Sequence, residues 1–477
     1  MQDMYVLGKS EQEVGVLSSM MNRHGLIAGA TGTGKTITLK VMAERLSENG
    51  IPVFLADIKG DLGSLAQPGM MSDKLQSRLD EMGITNHSFR SFPVEFWDVF
   101  GEEGIPLRTT VSEIGPVLMA RLLSLNETQT GILQIVFKVA DDEGLLLLDL
   151  KDLRGALQLV GEKAKELRLE YGNISSASIG AIQRGLLQLE EQGGDVFFGE
   201  PAISIHDLIN TTSEGEGIIH ILSAKRLFSS PILYSTFLLW LLSELFEELQ
   251  ETGDLEKPKM VFFFDEAHLI IEESSKSLRD QLEQVVRLIR SKGIGIYFVT
   301  QNPTDLPDEI LAQLGNRVQH SLRAFTPKDQ KAIKQTAETF RKNPRLNVEE
   351  ELTNLGVGEA LVSFLDEKGR PLEVQKAMIY APKSLIGVVD EGVKKSTIEN
   401  SSLRPKYAQS IDRDSAYETL AKRIPEPEVL SEKKHTPKVP PKKKTELEKA
   451  AGSLLQTVGR QIGRELVRGI FGALKKR

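Results

Sequence analysis

The segment LIAGATGTGKTIT, residues 26–38, decides the fold of this chain. Its central part, Gly29–Thr36, fits the pattern GxxxxGK(S/T) of a phosphate-binding loop in full. An apolar, strand-like run precedes the loop and a helical pattern follows it, which is the context that the motif requires. Its glycines let the backbone curl so that N–H groups face phosphate oxygens, and the helix dipole favours the same anion. The segment therefore predicts a nucleotide site between a strand and a helix.

The residues of this loop have distinct expected roles in binding ATP, the expected substrate, together with Mg²⁺. Lys35 is expected to reach the β- and γ-phosphates and to act in catalysis, and the Thr36 hydroxyl to ligate Mg²⁺. The residues expected to bind the nucleotide are Gly29, Ala30, Thr31, Gly32, Thr33, Gly34, Lys35 and Thr36.

A second acidic element completes the predicted site, in the run MVFFFDE at residues 260–266. Asp265 is expected to hold Mg²⁺ through water, and Glu266 to polarise the attacking water. A later strand, Gly295–Thr300, ends in polar residues, and in this class of NTPase it lies between the other two. Gln301 is therefore expected to sense the γ-phosphate, although it could instead cap the next loop.

Arginines that could reach the nucleotide of a neighbouring subunit form a third set of candidates. They are Arg287, Arg290, Arg317 and Arg323. Arg317 and Arg323 are favoured as catalytic residues because they flank a predicted strand, RVQHSLR, beside the site. Ordinary surface arginines are the alternative for each of them.

Short apolar runs alternate with helical stretches, which predicts an α/β fold with a mainly parallel central sheet. The predicted domains are a RecA-like core (1–63 and 216–382), a large helical insertion (64–215), a Pro/Lys-rich linker (383–449) and a C-terminal amphipathic helix (450–477). Within the insertion, helices are expected near 115–125, 130–139 and 178–192, from apolar residues at i, i+3 and i+4.

Composition excludes several classes of site and one location. The 477 residues include no cysteine, so disulfides, Cys-ligated zinc, Fe–S clusters and cysteine nucleophiles are ruled out. The N-terminus lacks the pattern of a signal peptide, and the longest apolar stretch, 232–246, is too short and too interrupted to span a bilayer. A cytoplasmic protein is expected, without stable insertion into a membrane.

The net charge of -8 is unevenly distributed. Residues 433–477 contain 13 Lys and Arg against three acids, so the preceding part of the chain is strongly acidic. Such a tail is typical of polyanion binding, but equally of a solvated, solubilising segment. Its last part is a basic amphipathic helix that could dock on the protein itself, on a neighbouring subunit, on DNA or on an anionic membrane.

Five motifs together resemble the HerA/FtsK group of P-loop motor ATPases, and within it the bacterial HerA-helicase-like ATPases. They are GATGTGKT (29–36), DIKGDLGSL (57–65), FFFDEAH (262–268), VTQNP (299–303) and LGNRVQHSLRAFTPKDQ (314–330). The DEAH tetrapeptide also suggests a superfamily-two helicase, but those enzymes need two RecA-like halves and only one phosphate loop is found. The small β-barrel with which archaeal HerA helicases start has no counterpart before the first predicted strand.

The resemblance implies a homohexameric ring with ATP at the subunit interfaces and double-stranded DNA moving through the pore. Asp57, Lys59 and Asp61 match an acidic–basic turn of the group, which could coordinate a neighbour or the attacking water, or could be a plain loop. The alternative function is an ATP-switched scaffold that organises a nuclease or a defence effector without translocating DNA. An acidic body and a helical insertion suit the scaffold at least as well.

Overall fold

The computed structural model describes residues 3–229, 231–253, 255–268 and 276–423. The predicted C-terminal helix and the second part of the predicted linker lie outside these residues. No helix in the described part of the chain is long and apolar enough to cross a membrane.

One twelve-stranded sheet organises the described residues, in the order β2-β1-β12-β11-β10-β3-β9-β8-β4-β7-β5-β6. From β10 to β6 all neighbouring strands are parallel, whereas β11, β12, β1 and β2 extend the sheet antiparallel. The strands are β1 (Met4–Lys9), β2 (Glu13–Leu17), β3 (Gly25–Ala28), β4 (Val53–Asp57), β5 (Val94–Asp98), β6 (Ile105–Pro106), β7 (Ile219–Ser223), β8 (Met260–Phe264), β9 (Ile294–Thr300), β10 (Asn316–Gln319), β11 (Glu359–Ser363) and β12 (Gln375–Ile379).

Helices cover both faces of this sheet. Those in the described residues are α1 (Lys35–Glu48), α2 (Asp73–Met82), α3 (Val111–Leu122), α4 (Glu127–Asp142), α5 (Leu150–Glu162), α6 (Ala164–Tyr171), α7 (Ser176–Glu191), α8 (Gly194–Phe197), α9 (Ile205–Leu208), α10 (Pro231–Glu248), α11 (Lys276–Ile289), α12 (Asp308–Leu311), α13 (Pro327–Glu338), α14 (Val348–Asn354), α15 (Glu391–Glu399), α16 (Arg404–Tyr407) and α17 (Ala416–Arg423). The first turn of α3 is separated from its remainder by Gly115, whose φ of 71° is not helical.

Alternation of side chains along the strands divides the core between the two faces. Phe262 and Phe264 of β8 belong to one buried cluster, whereas Val261 and Phe263 belong to the other. The first cluster contains α3–α5, α7 and α10, and the second contains the apolar face of α1. Because a strand has a period of two, a fully apolar strand is buried on both faces, as parallel sheets require. The expected mainly parallel α/β fold is confirmed.

Two expectations about organisation are corrected by the structure. The segment 64–215 is mainly helical as expected, but its residues 94–98 form β5, which pairs with β7 inside the main sheet. The segment 383–423, expected to be part of an extended linker, contains α15, α16 and α17. Helix α17 is held against α5 by a 2.8 Å hydrogen bond from the Tyr417 amide to the Asp152 carboxylate. Its apolar residues are too few and too widely spaced for a clear helical pattern.

Candidate nucleotide-binding site

The site lies along the carboxyl ends of three adjacent parallel strands. Strand β9 lies between β3 and β8, with Ala28 opposite Thr300 and Phe298 opposite Phe264. This order is the one expected from the sequence. It brings the phosphate loop after β3, Gln301 after β9 and Asp265 after β8 to the same edge of the sheet.

The phosphate loop has a backbone that only glycine adopts readily at two points. Gly29 has φ +151° and Gly34 has φ +120°. A Cβ on Gly29 would lie 2.5 Å from the Cβ of His320, and one on Gly34 would lie 3.1 Å from the Cα of Gly358. A side chain at either position would therefore clash as well as strain the backbone.

Residues that the sequence analysis did not identify support the loop from the β10–β11 side. The Ala30 amide donates a 2.8 Å hydrogen bond to the Ser321 carbonyl. The buried imidazole of His320 lies 2.8 Å from the Thr38 hydroxyl and 2.8 Å from the carbonyl oxygen of Glu359. Burial lowers the pKa of His320 to about 4, so this link between α1 and β11 is neutral.

Lys35 is buried at the first turn of α1, and its ammonium donates to the carbonyl oxygens of Gly29 and Ala30. It makes no ion pair with any other residue in the described ranges. Burial lowers the pKa of Lys35, because a low-dielectric environment disfavours the charged form. Thr36 follows it in the same turn and is half-buried, while Thr31 and Gly32 at the tip of the loop are exposed.

The two carboxylates after β8 differ in their surroundings. Asp265 is buried, accepts a 2.9 Å hydrogen bond from the Glu266 amide, and has its pKa raised to about 6 by burial. Glu266 has φ 48°, a left-handed conformation that is uncommon outside glycine. Strained backbone of this kind concentrates at functional sites, and here it turns the second carboxylate away from the line of the strand.

Each carboxylate oxygen of Glu266 has its own partner. Oε1 accepts a 2.6 Å hydrogen bond from the ammonium of Lys59, which belongs to the turn after β4. Oε2 lies 3.5 Å from Nε2 of Gln301 and 3.6 Å from Nδ1 of His268. Although burial opposes it, the Lys59 ammonium holds the pKa of Glu266 below its ordinary value. The structure therefore brings Gln301 to Glu266, and it adds Lys59 and His268 to the expected set.

The two favoured arginines have different environments. The guanidinium of Arg317 donates to the carbonyl oxygens of Leu311 and Leu314, both at 3.2 Å, and so caps the end of α12. Arg323 is exposed in the loop after β10, two residues beyond the Ser321 carbonyl that binds the phosphate loop. Arg323 can therefore reach another molecule, whereas Arg317 already binds its own chain.

A phosphate loop and an acidic strand end on either side of a strand that ends in glutamine define a P-loop NTPase of the RecA-like class. A family model described as "Helicase HerA-like C-terminal" matches residues 3–439. The chain thus belongs to the HerA-like helicase family.

Similar proteins include two archaeal DNA double-strand break repair helicases named HerA. The protein from Sulfolobus acidocaldarius is 22% identical over 361 residues, and that from Saccharolobus solfataricus 23% identical over 368 residues. These alignments cover 74% and 75% of this chain, and the chain spans 64% of the length of each relative.

Solved structures support the fold. The plasmid coupling protein TrwB, in complex with the GTP analogue GDPNP, has a TM-score of 0.53 at 16% identity, over 79% of this chain and 91% of that one. An unbound form of the same coupling protein has the same TM-score over 80% of this chain. The RecA-like P-loop fold expected from the sequence is confirmed.

Proposed function

We propose that this chain is an Mg²⁺-dependent ATPase, a ring-forming HerA-like motor that moves along double-stranded DNA. The observation that carries the proposal is the meeting of Lys35, Asp265, Glu266 and Gln301 at one edge of three parallel strands. ATP hydrolysis needs these elements together: a cation for the phosphates, a carboxylate for the metal, a base for water and a polar sensor.

The residues present suit MgATP as substrate. A buried ammonium that binds only carbonyl oxygens of its own loop, as Lys35 does within the described residues, is a strong acceptor site for phosphate oxygens. The Thr36 hydroxyl and the Asp265 carboxylate would hold Mg²⁺, which prefers oxygen ligands. Bound Mg²⁺ would neutralise charge on the phosphates, and Glu266 would accept a hydrogen bond from the attacking water.

We further propose a homohexamer in which Arg323 contacts the nucleotide of the neighbouring subunit. Exposure of Arg323 beside the phosphate loop supports this assignment. Arginines supplied by a neighbour stabilise the charge of the transition state in other P-loop enzymes. Contacts of Arg317 with its own α12 support a structural role for that residue instead.

Double-stranded DNA is the proposed track, and a local basic surface supports it within an acidic chain. Residues 323–345 contain seven Lys and Arg against two acids. Lys328, Lys331 and Lys334 lie on the exposed side of α13, opposite the buried Ala332 and Ile333. None of the three makes an ion pair with another residue that the structure describes. Unpaired ammonium groups are available to DNA phosphates, which supply most of the affinity in such complexes.

The test is the steady-state ATPase rate of the protein alone, with double-stranded DNA and with single-stranded DNA. The Lys35→Ala variant is the blank. Stimulation by double-stranded DNA of several-fold, absent in the variant, is the expected result. A Lys35-dependent rate that ignores DNA would instead support the ATP-switched scaffold, whose partner would be a nuclease or an effector protein. A rate unchanged by Lys35→Ala would contradict the proposed site.

A further inference from the structure

Lys59 occupies the position at which Glu266 would have to receive a water molecule. Its ammonium donates to Oε1 of Glu266 at 2.6 Å. In the proposed ATPase, on which this inference rests, the same carboxylate polarises the water that attacks the γ-phosphate. An oxygen that accepts a short hydrogen bond from an ammonium leaves no room for water in that direction. The ion pair therefore has to open before hydrolysis.

The backbone of Lys59 is held in place while its side chain is free to move. The buried Asp57 carboxylate accepts hydrogen bonds from the amides of Gly60 at 2.6 Å and Leu62 at 3.1 Å, which closes the turn around Lys59. The side chain of Lys59 is 39% exposed, whereas that of Glu266 is 7% exposed. A partly exposed lysine can change partner at small cost, since such ion pairs contribute little net free energy.

The charges around the Lys59 ammonium place it beside the expected phosphate position. It is attracted by Asp265, Glu266 and Asp61, and its charge disfavours the protonated form of Lys35. Two ammonium groups that repel each other across the edge of the site both attract an anion placed between them. The terminal phosphate of ATP is such an anion.

Glu266 does not lose all its partners if Lys59 leaves. Its other oxygen, Oε2, still faces Gln301 at 3.5 Å and His268 at 3.6 Å. The buried carboxylate therefore stays oriented while Oε1 becomes available to water. This division of partners between the two oxygens allows one contact to open while the other remains.

We propose that Lys59 is a positioning residue that senses the γ-phosphate. Without ATP it pairs with Glu266, and with ATP bound its ammonium moves to the γ-phosphate and frees Oε1 of Glu266 for the attacking water. ADP has no γ-phosphate, so it leaves the Lys59–Glu266 pair closed. Lys59 thus couples arrival of the complete substrate to release of the base.

The first test measures binding of Mg²⁺ with adenylyl imidodiphosphate, a non-hydrolysable ATP analogue, and of Mg²⁺ with ADP, by titration calorimetry on the full chain. Lys59→Met is expected to weaken binding of the analogue about tenfold, as loss of a charged contact does, and to leave ADP binding unchanged. Lys225→Met is the matched control, because Lys225 lies beside Gly60 but pairs with Glu103 outside the site. The control should change neither affinity.

The second test is a double-mutant cycle with Glu266→Gln. Removing the charge of Glu266 releases Lys59, so Glu266→Gln is expected to tighten binding of the analogue several-fold. The same change in a Lys59→Met background should have no such effect. Equal tightening in both backgrounds would overturn the proposal, because it would mean that Lys59 is not the group released.

Failure of this inference can be told apart from failure of the proposed function. If the wild type binds both nucleotides and Lys35→Ala abolishes binding, the ATP site stands. In that case, equal effects of Lys59→Met on ADP and the analogue, or no effect, would overturn only the role of Lys59. If the wild type binds neither nucleotide, both are wrong. Far-UV circular dichroism checks folding, and Lys59→Gln replaces Lys59→Met if the latter does not fold.

Discussion

The amide of Ala30 in the phosphate loop donates a 2.8 Å hydrogen bond to the carbonyl oxygen of Ser321, directly after β10. This bond ties the loop that would hold the phosphates to the segment that leads into α13. Helix α13 carries the exposed lysines at positions 328, 331 and 334. A shift of the loop on nucleotide binding would thus be transmitted to the basic surface through a few residues of backbone.

Glu266 is predicted to serve hydrolysis and not binding. Glu266→Gln removes the base but keeps the size of the side chain, so the rate of hydrolysis should fall by about 10²-fold or more. ADP affinity should stay within about twofold of the wild type, since Lys35 provides the main phosphate contact. Single-turnover hydrolysis and ADP titration check the two parts. Lys35→Ala, which should lose both binding and hydrolysis, is the comparison.

Neutralising the basic surface of α13 should weaken DNA binding in a salt-dependent way. Each lost phosphate contact lowers the slope of log K against log salt by about 0.9 on B-form DNA. Lys328→Gln, Lys331→Gln and Lys334→Gln combined should therefore lower the slope by about 3. Fluorescence anisotropy with a double-stranded oligonucleotide at several salt concentrations measures it.

A matched control for the α13 variant exists elsewhere on the surface. Lys74, Lys151 and Lys165 are exposed on α2, α5 and α6, and their combined replacement by Gln removes the same charge. The control should keep the wild-type slope. If it lowers the slope as much as the α13 variant does, the effect reflects total charge and not a DNA contact at α13.

Local motifs were sufficient to predict the central part of the site. Gly29–Thr36 and Asp265–Glu266 are contiguous in sequence, and each follows an apolar strand, so their placement depends only on which strands are neighbours. The Lys59–Glu266 and Thr38–His320 contacts could not be predicted in this way. Their partners are 207 and 282 residues apart, and no local pattern distinguishes such a lysine or histidine from a surface or core residue.

The fold was harder to predict where elements are short or lie at an edge. β1, β2 and β5 have five or six residues each, and the alternation in VEFWD at 94–98 is too brief to separate a strand from a helix turn. Residues 391–399 carry the sequence EGVKKSTIE, with no buried side chain. A helix without a buried face has no apolar periodicity, so it resembles a linker.

Arg323 is predicted to act on the nucleotide of a neighbouring subunit. Arg323→Ala should bind ATP but lose hydrolysis by about 10³-fold, the usual effect of removing such an arginine. Mixing it with Lys35→Ala subunits should restore activity, since each variant supplies what the other lacks. Random 1:1 mixing in a closed ring gives complete interfaces in about a quarter of positions. No recovery on mixing would contradict action in trans.

Arg317→Ala offers the contrasting case. Its guanidinium caps α12 through two carbonyl oxygens of the same chain. Removing it should lower the free energy of unfolding by about 1–2 kcal/mol, because the carbonyl groups lose a charged donor. Activity lost in this way cannot be restored by mixing with Lys35→Ala subunits, so complementation separates the two arginines.

Acid should destabilise the protein through a buried histidine far from the nucleotide site. The indole N–H of Trp97 donates a 3.0 Å hydrogen bond to Nδ1 of His220, so this nitrogen has to be unprotonated. Complete burial lowers the pKa of His220 from 6.5 to about 3. The unfolded chain takes up a proton that the folded chain refuses, so stability is fully present above pH 6.5 and is lost as the pH falls towards 3.

Replacing His220 by Gln keeps an acceptor for Trp97 but removes the titration. Between pH 7 and pH 5 the wild type should therefore lose about 2 kcal/mol more unfolding free energy than His220→Gln, at about 1.4 kcal/mol per pH unit below 6.5. Urea denaturation of both proteins at the two pH values measures the difference. Equal losses would mean that the imidazole is protonated in the folded state, which the Trp97 hydrogen bond at Nδ1 does not permit.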